Sequence, residues 1–131
     1  MIIVKSYPYF GYGFFVFKQD KLLKIYYKQK REGDKMVIAD IAVMPLRPYS
    51  GEEEMYKVVD ACIAEIEKSG LKYEVGAMST TIEGDFDEVF ELLKIVHKIP
   101  FNLGCERVIT IARIDEKAGG ITINEKLKNH R

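Results

Sequence analysis

From Met36 onward the apolar positions recur first with a period of two and then at helical intervals, and the sequence then makes the same change again. In "MVIADIAVM", Val37, Ala39, Ile41 and Val43 occupy one face and Asp40 lies on the other, which predicts a strand. Pro45 and Pro48 are expected to stop it. Ser50 and Glu53 have the spacing of a capping box, and Met55, Val58, Val59, Cys62, Ile63 and Ile66 follow on one helical face. Gly70 supplies the stop.

The second unit opens with Leu71, Tyr73, Val75 and Ala77 alternating with Lys72 and Glu74, which predicts a strand to about Ala77. Gly76 within it suggests a bulge or a close backbone approach. The stretch "MSTTIEGDFDEV", residues 78–89, then reads as a strand end rich in hydroxyls, an isolated Glu83, a turn at Gly84 and a restart in acid. Asp85 and Glu88 repeat the capping-box spacing ahead of Val89, Leu92, Leu93 and Val96. Pro100 is expected to kink or end this helix early, and Gly104 closes the connection. "RVITIARID" has the β-branched content of a strand through Asp115. The remainder, "EKAGGITINEKLKNHR", predicts a short strand or a loose tail.

The order from Met36 is read as β-α-β-β-α-β. Two consecutive β-α-β units of this size favour an α+β, ferredoxin-like arrangement: a four-stranded antiparallel sheet with both helices on one face. The other face would carry Asp40, Ala42 and Met44 from the first strand and Ile109, Ile111 and Arg113 from the last. A partly apolar, uncovered sheet face calls for a partner, so a homo-oligomer built through that face is expected.

Composition changes this picture at the N-terminus. The 131 residues suffice for one core, and a formal net charge of zero gives no whole-molecule attraction to nucleic acid or acidic membranes. Residues 1–35, however, carry seven Lys and Arg31 against Asp20, Glu32 and Asp34, and hold nine of the fifteen aromatics. The chain therefore divides into an appendage, 1–35, and a domain, 36–131. The appendage is either translated sequence upstream of a natural start at Met36 or an added hairpin, with "KLLKIYY" as a strand. Its apolar run, Tyr7–Phe17, is shorter than the roughly 20 residues of a membrane helix. Cys62 and Cys105 are far apart and form no CxxC, which fits a reducing cytoplasm without a disulfide framework.

Two cysteines also exclude an iron–sulfur ferredoxin, which needs about four thiolates per cluster. The last strand offers Ile109, Ile111 and Arg113 where an RNA-recognition sheet would present planar rings. His97 and His130 have no nucleophile beside them in sequence, so no catalytic or metal site is expected. The acids at Glu52–Glu54 and at Asp85, Asp87 and Glu88 match helix N-termini, where they complement the dipole. Glu83 fits neither cap. With Ser79, Thr80 and Thr81 it reads as either a polar ligand-binding rim or a strand-edge turn.

"MVIADIAVMPL", "SGLKYEVGAMSTTIEGDFDEVFELLKIVHK" and "LGCERVITIARID" together resemble the small, single-domain archaeal and bacterial branch of the thiamine-binding protein family, over about Met36 to Asp115. The resemblance implies a ferredoxin-like protomer, assembly into dimers or tetramers, and binding of thiamine or its hydroxymethylpyrimidine portion without catalysis or a further cofactor. Carried onto this chain, it implies a site at Met78, Ser79, Thr80, Thr81, Ile82, Glu83 and Asp40. Ser79 stands where family members often have Gly, and Asp40 matches a longer acid. Pro100 and Asn102 depart from the commoner uninterrupted helix. In this expectation Glu83 meets the thiazolium charge or the amino group, Thr80 and Thr81 address ring nitrogens, and Met78 and Ile82 pack against ring faces. The competing expectation is a structural or regulatory oligomer that uses the open sheet without useful ligand affinity. A hydrolase of thiamine-related compounds is a third.

Overall fold

The computed structural model describes residues 35–47 and 51–131, so the expectations for the appendage and for Ser50 lie outside the described residues. The elements are β1 (Met36–Arg47), α1 (Glu52–Lys68), β2 (Lys72–Val75), β3 (Thr80–Asp85), α2 (Phe86–Asn102), β4 (Arg107–Asp115) and α3 (Ile123–Leu127). The strands lie in the order β2-β3-β1-β4, every neighbouring pair antiparallel. This is the ferredoxin-like α+β arrangement expected from the two repeated units.

Strand register decides which side chains share a face. Ala39 lies opposite Ile82 on β3 and Ile114 on β4, whereas its neighbour Asp40 lies opposite Thr81 and Arg113. A one-residue slip would carry Asp40 into the core, so the apolar alternation of β1 fixes the polar face as well. The core on the helix side unites Val37, Ala39 and Ile41 of β1 and Ile82 of β3 with Cys62 and Ile66 of α1 and Val89, Leu92 and Val96 of α2. Burying each such aliphatic side chain contributes about 1.5–3 kcal/mol.

Four local expectations are corrected. The third strand, β3, is the stretch that reads in sequence as a strand end and turn. Gly84 lies within it opposite Val37, and a Cβ there would press within 3.2 Å of the Leu71 and Val89 side chains, so tight packing rather than a turn requires the glycine. β1 continues through Pro45 to Arg47, with a register irregularity between them. Proline is tolerated because this end of β1 has run past β3 and pairs only with β4.

The residue preceding α1 is Gly51, in extended conformation and without a side-chain cap. α2 does not stop at Pro100 but continues to Asn102. Pro100 lacks the N–H that would bond the Val96 carbonyl one turn earlier, and that oxygen instead lies 3.8 Å from the Cys62 thiol, which donates to it. Burial, with the nearby Cys105 adding to it, pushes the Cys62 thiol up to about 11, so it stays protonated as a donor. The tail, finally, is neither strand nor loose: Thr122 Oγ1 accepts from the Glu125 N–H at 3.1 Å and caps α3.

Other expectations hold. Asp85 Oδ1 accepts from the N–H groups of Asp87 and Glu88 at 2.9 and 3.4 Å, capping α2. Gly70, at φ +75°, closes α1. β2 ends at Val75, two residues early. Gly76 then meets Ser79 across a tight turn, donating to its carbonyl at 2.9 Å, so the close approach expected there is real.

Candidate functional site

The face of the sheet opposite α1 and α2 gathers one polar residue after another from all four strands. Thr81 lies between Asp40 on β1 and Glu74 on β2, Arg113 flanks Asp40 on β4, and Lys72 faces Glu83. These positions are the alternates of the core residues, so a strand that buries Ala39 and Ile82 inward must present Asp40 and Thr81 outward.

The C-terminal segment folds over one end of this face. The Ile121 N–H donates to the Met36 carbonyl at 2.9 Å, and Ile123 is 2% exposed. The Ile123 N–H donates to Glu83 Oε2 at 2.7 Å, and Lys72 Nζ reaches the same oxygen at 3.3 Å and Asn124 Oδ1 at 3.1 Å. Glu83, 7% exposed, thus anchors the start of α3. A carboxylate buried this deeply needs such partners, and a backbone N–H at a helix start is a suitable one.

Between α3 and the sheet lies a cavity of about 350 Å³, with Asp40, Glu74, Thr81, Arg113, Asp115 and Lys126 as its polar lining and Ile38, Ile123 and Leu127 among its apolar wall. That size is at the lower end of the roughly 300–1,000 Å³ of small-molecule sites, and an apolar wall with a few convergent polar groups is their usual make-up.

Asp40 is the best-organised group in it. Arg113 Nε donates to its Oδ1 and Oδ2 at 3.0 and 3.1 Å, Arg113 Nη2 also bonds Oδ2, and Ser79 Oγ donates to Oδ2 at 3.1 Å. The hydrogen bond from Arg113 lowers the Asp40 pKa below the ordinary carboxylate value, against the opposing effect of burial, and the Ser79 bond helps. The Asp40 side chain is 14% exposed and that of Arg113 79%, so the carboxylate is fixed in the wall while its guanidinium partner remains in water.

The residues expected from sequence are divided by strand alternation. Asp40 and Thr81 line the cavity, and Ser79 holds Asp40 from the side. Glu83 is on the same face but engaged with α3. Thr80 and Ile82 point to the helix side, where Ile82 is fully buried in the core, and Met78 is 88% exposed in the turn between β2 and β3. The expected contacts of Thr80 and Ile82 with ligand rings therefore conflict with the strand's two-residue period. Glu74, Asp115 and Lys126 were missed. Lys126 could have been found from the T-x-x-E spacing of Thr122 and Glu125, which is itself a helix-start signal.

His97 takes no part in this cavity. Its Nδ1 lies 2.7 Å from Thr110 Oγ1, and its ring meets Phe101 edge-on, so it ties α2 to β4. Among the described residues no group of three or more His, Cys, Asp or Glu is arranged to hold a metal ion, and no helix is long and apolar enough to cross a membrane.

The family profile described as thiamine-binding protein matches residues 39–131. A UPF0045 protein of Clostridium perfringens is 41% identical over 88 residues, covering 67% of this chain and 93% of its own. Among solved structures, a domain of unknown function (DUF77) from Bacillus cereus superposes with a TM-score of 0.68 at 35% identity, covering 74% of this chain and 91% of the other. A proposed thiamine biosynthesis/salvage protein of Thermotoga maritima does so with a TM-score of 0.66 at 35% identity, covering 73% and 99%.

Proposed function

The chain belongs to the thiamine-binding protein family, and on that premise we propose that it binds thiamine or a related hydroxymethylpyrimidine, without catalysis, between the open sheet face and α3. The observation that carries this reading is the ionised, largely buried Asp40 beside Thr81 at the wall of a cavity of about 350 Å³. Thiamine joins a permanently cationic thiazolium to an aminopyrimidine that both donates and accepts hydrogen bonds. Asp40, held ionised by Arg113, accepts from the amino group, and a charge-assisted contact of this kind is stronger than a neutral one. The Thr81 hydroxyl can donate to a ring nitrogen or accept from the amino group. Ile38, Ile123 and Leu127 pack against the rings. Ser79 orients Asp40, and Glu83 contributes by holding α3 in place rather than by touching the ligand.

Further along the same face, Ile111 lies opposite Ala42 and Ile109 opposite Met44. Ile111 is 54% exposed and Ile109 43%, an apolar strip that supports assembly into a homodimer or homotetramer. Such an oligomer would serve vitamin salvage, carriage or sensing in the cytoplasm. Light scattering on the purified protein reports the assembly, and a monomer at micromolar concentration contradicts it.

Isothermal titration tests the binding. The native protein is expected to bind thiamine and Asp40→Asn to bind it at least ten-fold more weakly. Equal affinity of the two removes Asp40 from the site.

A further inference from the structure

Three carboxylates line the cavity, and each is matched by a cation of the protein itself. Asp40 pairs with Arg113, Asp115 with Lys126, and Glu74 with Arg131. Arg113 belongs to the sheet. The other two belong to the C-terminal segment, Lys126 on α3 and Arg131 just beyond it.

These two partners are loosely held by comparison with the rest of the segment. The Lys126 and Arg131 side chains are 53% and 52% exposed, and Asp115 and Glu74 are 40% and 34% exposed. Ion pairs this open to water are weak and exchangeable. The segment's attachment lies elsewhere, in the buried Ile123 side chain and in the Ile123 N–H bond to Glu83. Lys126 and Arg131 can therefore leave their carboxylates without releasing α3.

We infer that Lys126 and Arg131 are internal competitors for the cationic ligand, occupying Asp115 and Glu74 until that ligand takes the place of one of them. This rests on the proposed binding of thiamine in the same cavity. Three carboxylates with three internal cations make a neutral set. A permanent cation entering without displacement would leave it with one excess positive charge, whereas displacing either Lys126 or Arg131 keeps it neutral. The segment thereby sets the cavity's preference: a ligand with a positive charge competes, and a neutral one of the same shape gains nothing from displacing the side chains.

The test is isothermal titration at pH 7.5 of thiamine and of neutral hydroxymethylpyrimidine into the native protein, K126Q, R131Q, K126Q/R131Q and, as control, K128Q. Lys128 lies in the same segment, and its electrostatic influence falls on Glu125 rather than on a cavity carboxylate. Exchange gives a three- to ten-fold tighter thiamine complex in the double variant, about the loss of two exposed competing pairs, with smaller gains in the single ones. K128Q and the neutral ligand then show no gain. If the native protein binds thiamine and the double variant binds it no tighter, the inference is overturned. It is overturned equally if K128Q gives the same gain, which reports only the general field, or if hydroxymethylpyrimidine gains as much, which reports a steric opening. If none of the proteins binds thiamine, the functional proposal itself fails, and the competition fails with it.

Discussion

The two faces of the sheet are built from the same strands and obey opposite rules. On the helix side, Val37, Ala39, Ile41 and Ile82 meet α1 and α2 in a core without charge. On the other, Glu83 accepts from the Ile123 N–H and Asp115 pairs with Lys126 of a five-residue helix, with Asp40 and Thr81 lining the cavity between. The first face is held by area, which is insensitive to detail and large in sum. The second is held by particular partners, each worth little in water and each replaceable. A binding site needs the second kind, because a ligand must be able to take over interactions that the protein can spare.

The largest effect that separates the two faces is a cavity in the core. Ile82→Ala is expected to destabilise the fold by about 2–5 kcal/mol, read by urea unfolding, because Ile82 is fully buried between the sheet and both helices. Thiamine affinity of the folded fraction should change little, since Ile82 and the cavity are on opposite sides. A large loss of affinity with little loss of stability would reverse the assignment of faces.

A smaller effect is expected from Glu83→Ala, about 1–3 kcal/mol, because the Ile123 N–H then lacks its acceptor in a buried place. Hydrogen exchange distinguishes this from a core defect. The amides of Ile123 to Leu127 should exchange much faster while those of α2 keep their protection. Uniform loosening of the whole domain would mean that Glu83 supports the fold rather than α3.

The smallest effect concerns pH. The folded state holds the Asp40 pKa below its ordinary value, chiefly through Arg113. The unfolded chain therefore binds the proton more readily, so the contribution of Asp40 to stability is complete above the ordinary aspartate value of about 3.9 and is lost as pH falls through the lower folded value. The stability difference between the native protein and Asp40→Asn, followed by urea unfolding from pH 7 downward, should shrink below about pH 4. A difference that stays constant to pH 3 would contradict the ion pair.

The same contrast explains what could be read from the chain. The alternation of Val37, Ala39, Ile41 and Val43 announces β1, and β4 has the expected bounds, because an apolar period is written locally. β3 was hidden because its inward residues are Thr80, Ile82 and Gly84, only one of them a large apolar side chain. Without an apolar alternation, a central strand resembles a polar turn. The α3 contact was less legible still. It depends on Glu83 and Ile123, forty residues apart, and a five-residue charged helix has no stability of its own. Of the candidate site, the hydroxyl residues of β3 and the acid Asp40 can be named from the sequence, but their division between two faces requires the register.

Thiamine titration followed by backbone amide NMR reads both faces at once. Binding beneath α3 predicts saturable shifts at Asp40, Glu74, Thr81, Arg113 and Ile123 and stationary signals at Val58, Val89 and Leu92. Shifts confined to the helix side, or no saturable shift at any amide at millimolar thiamine, would contradict binding between the open sheet face and α3.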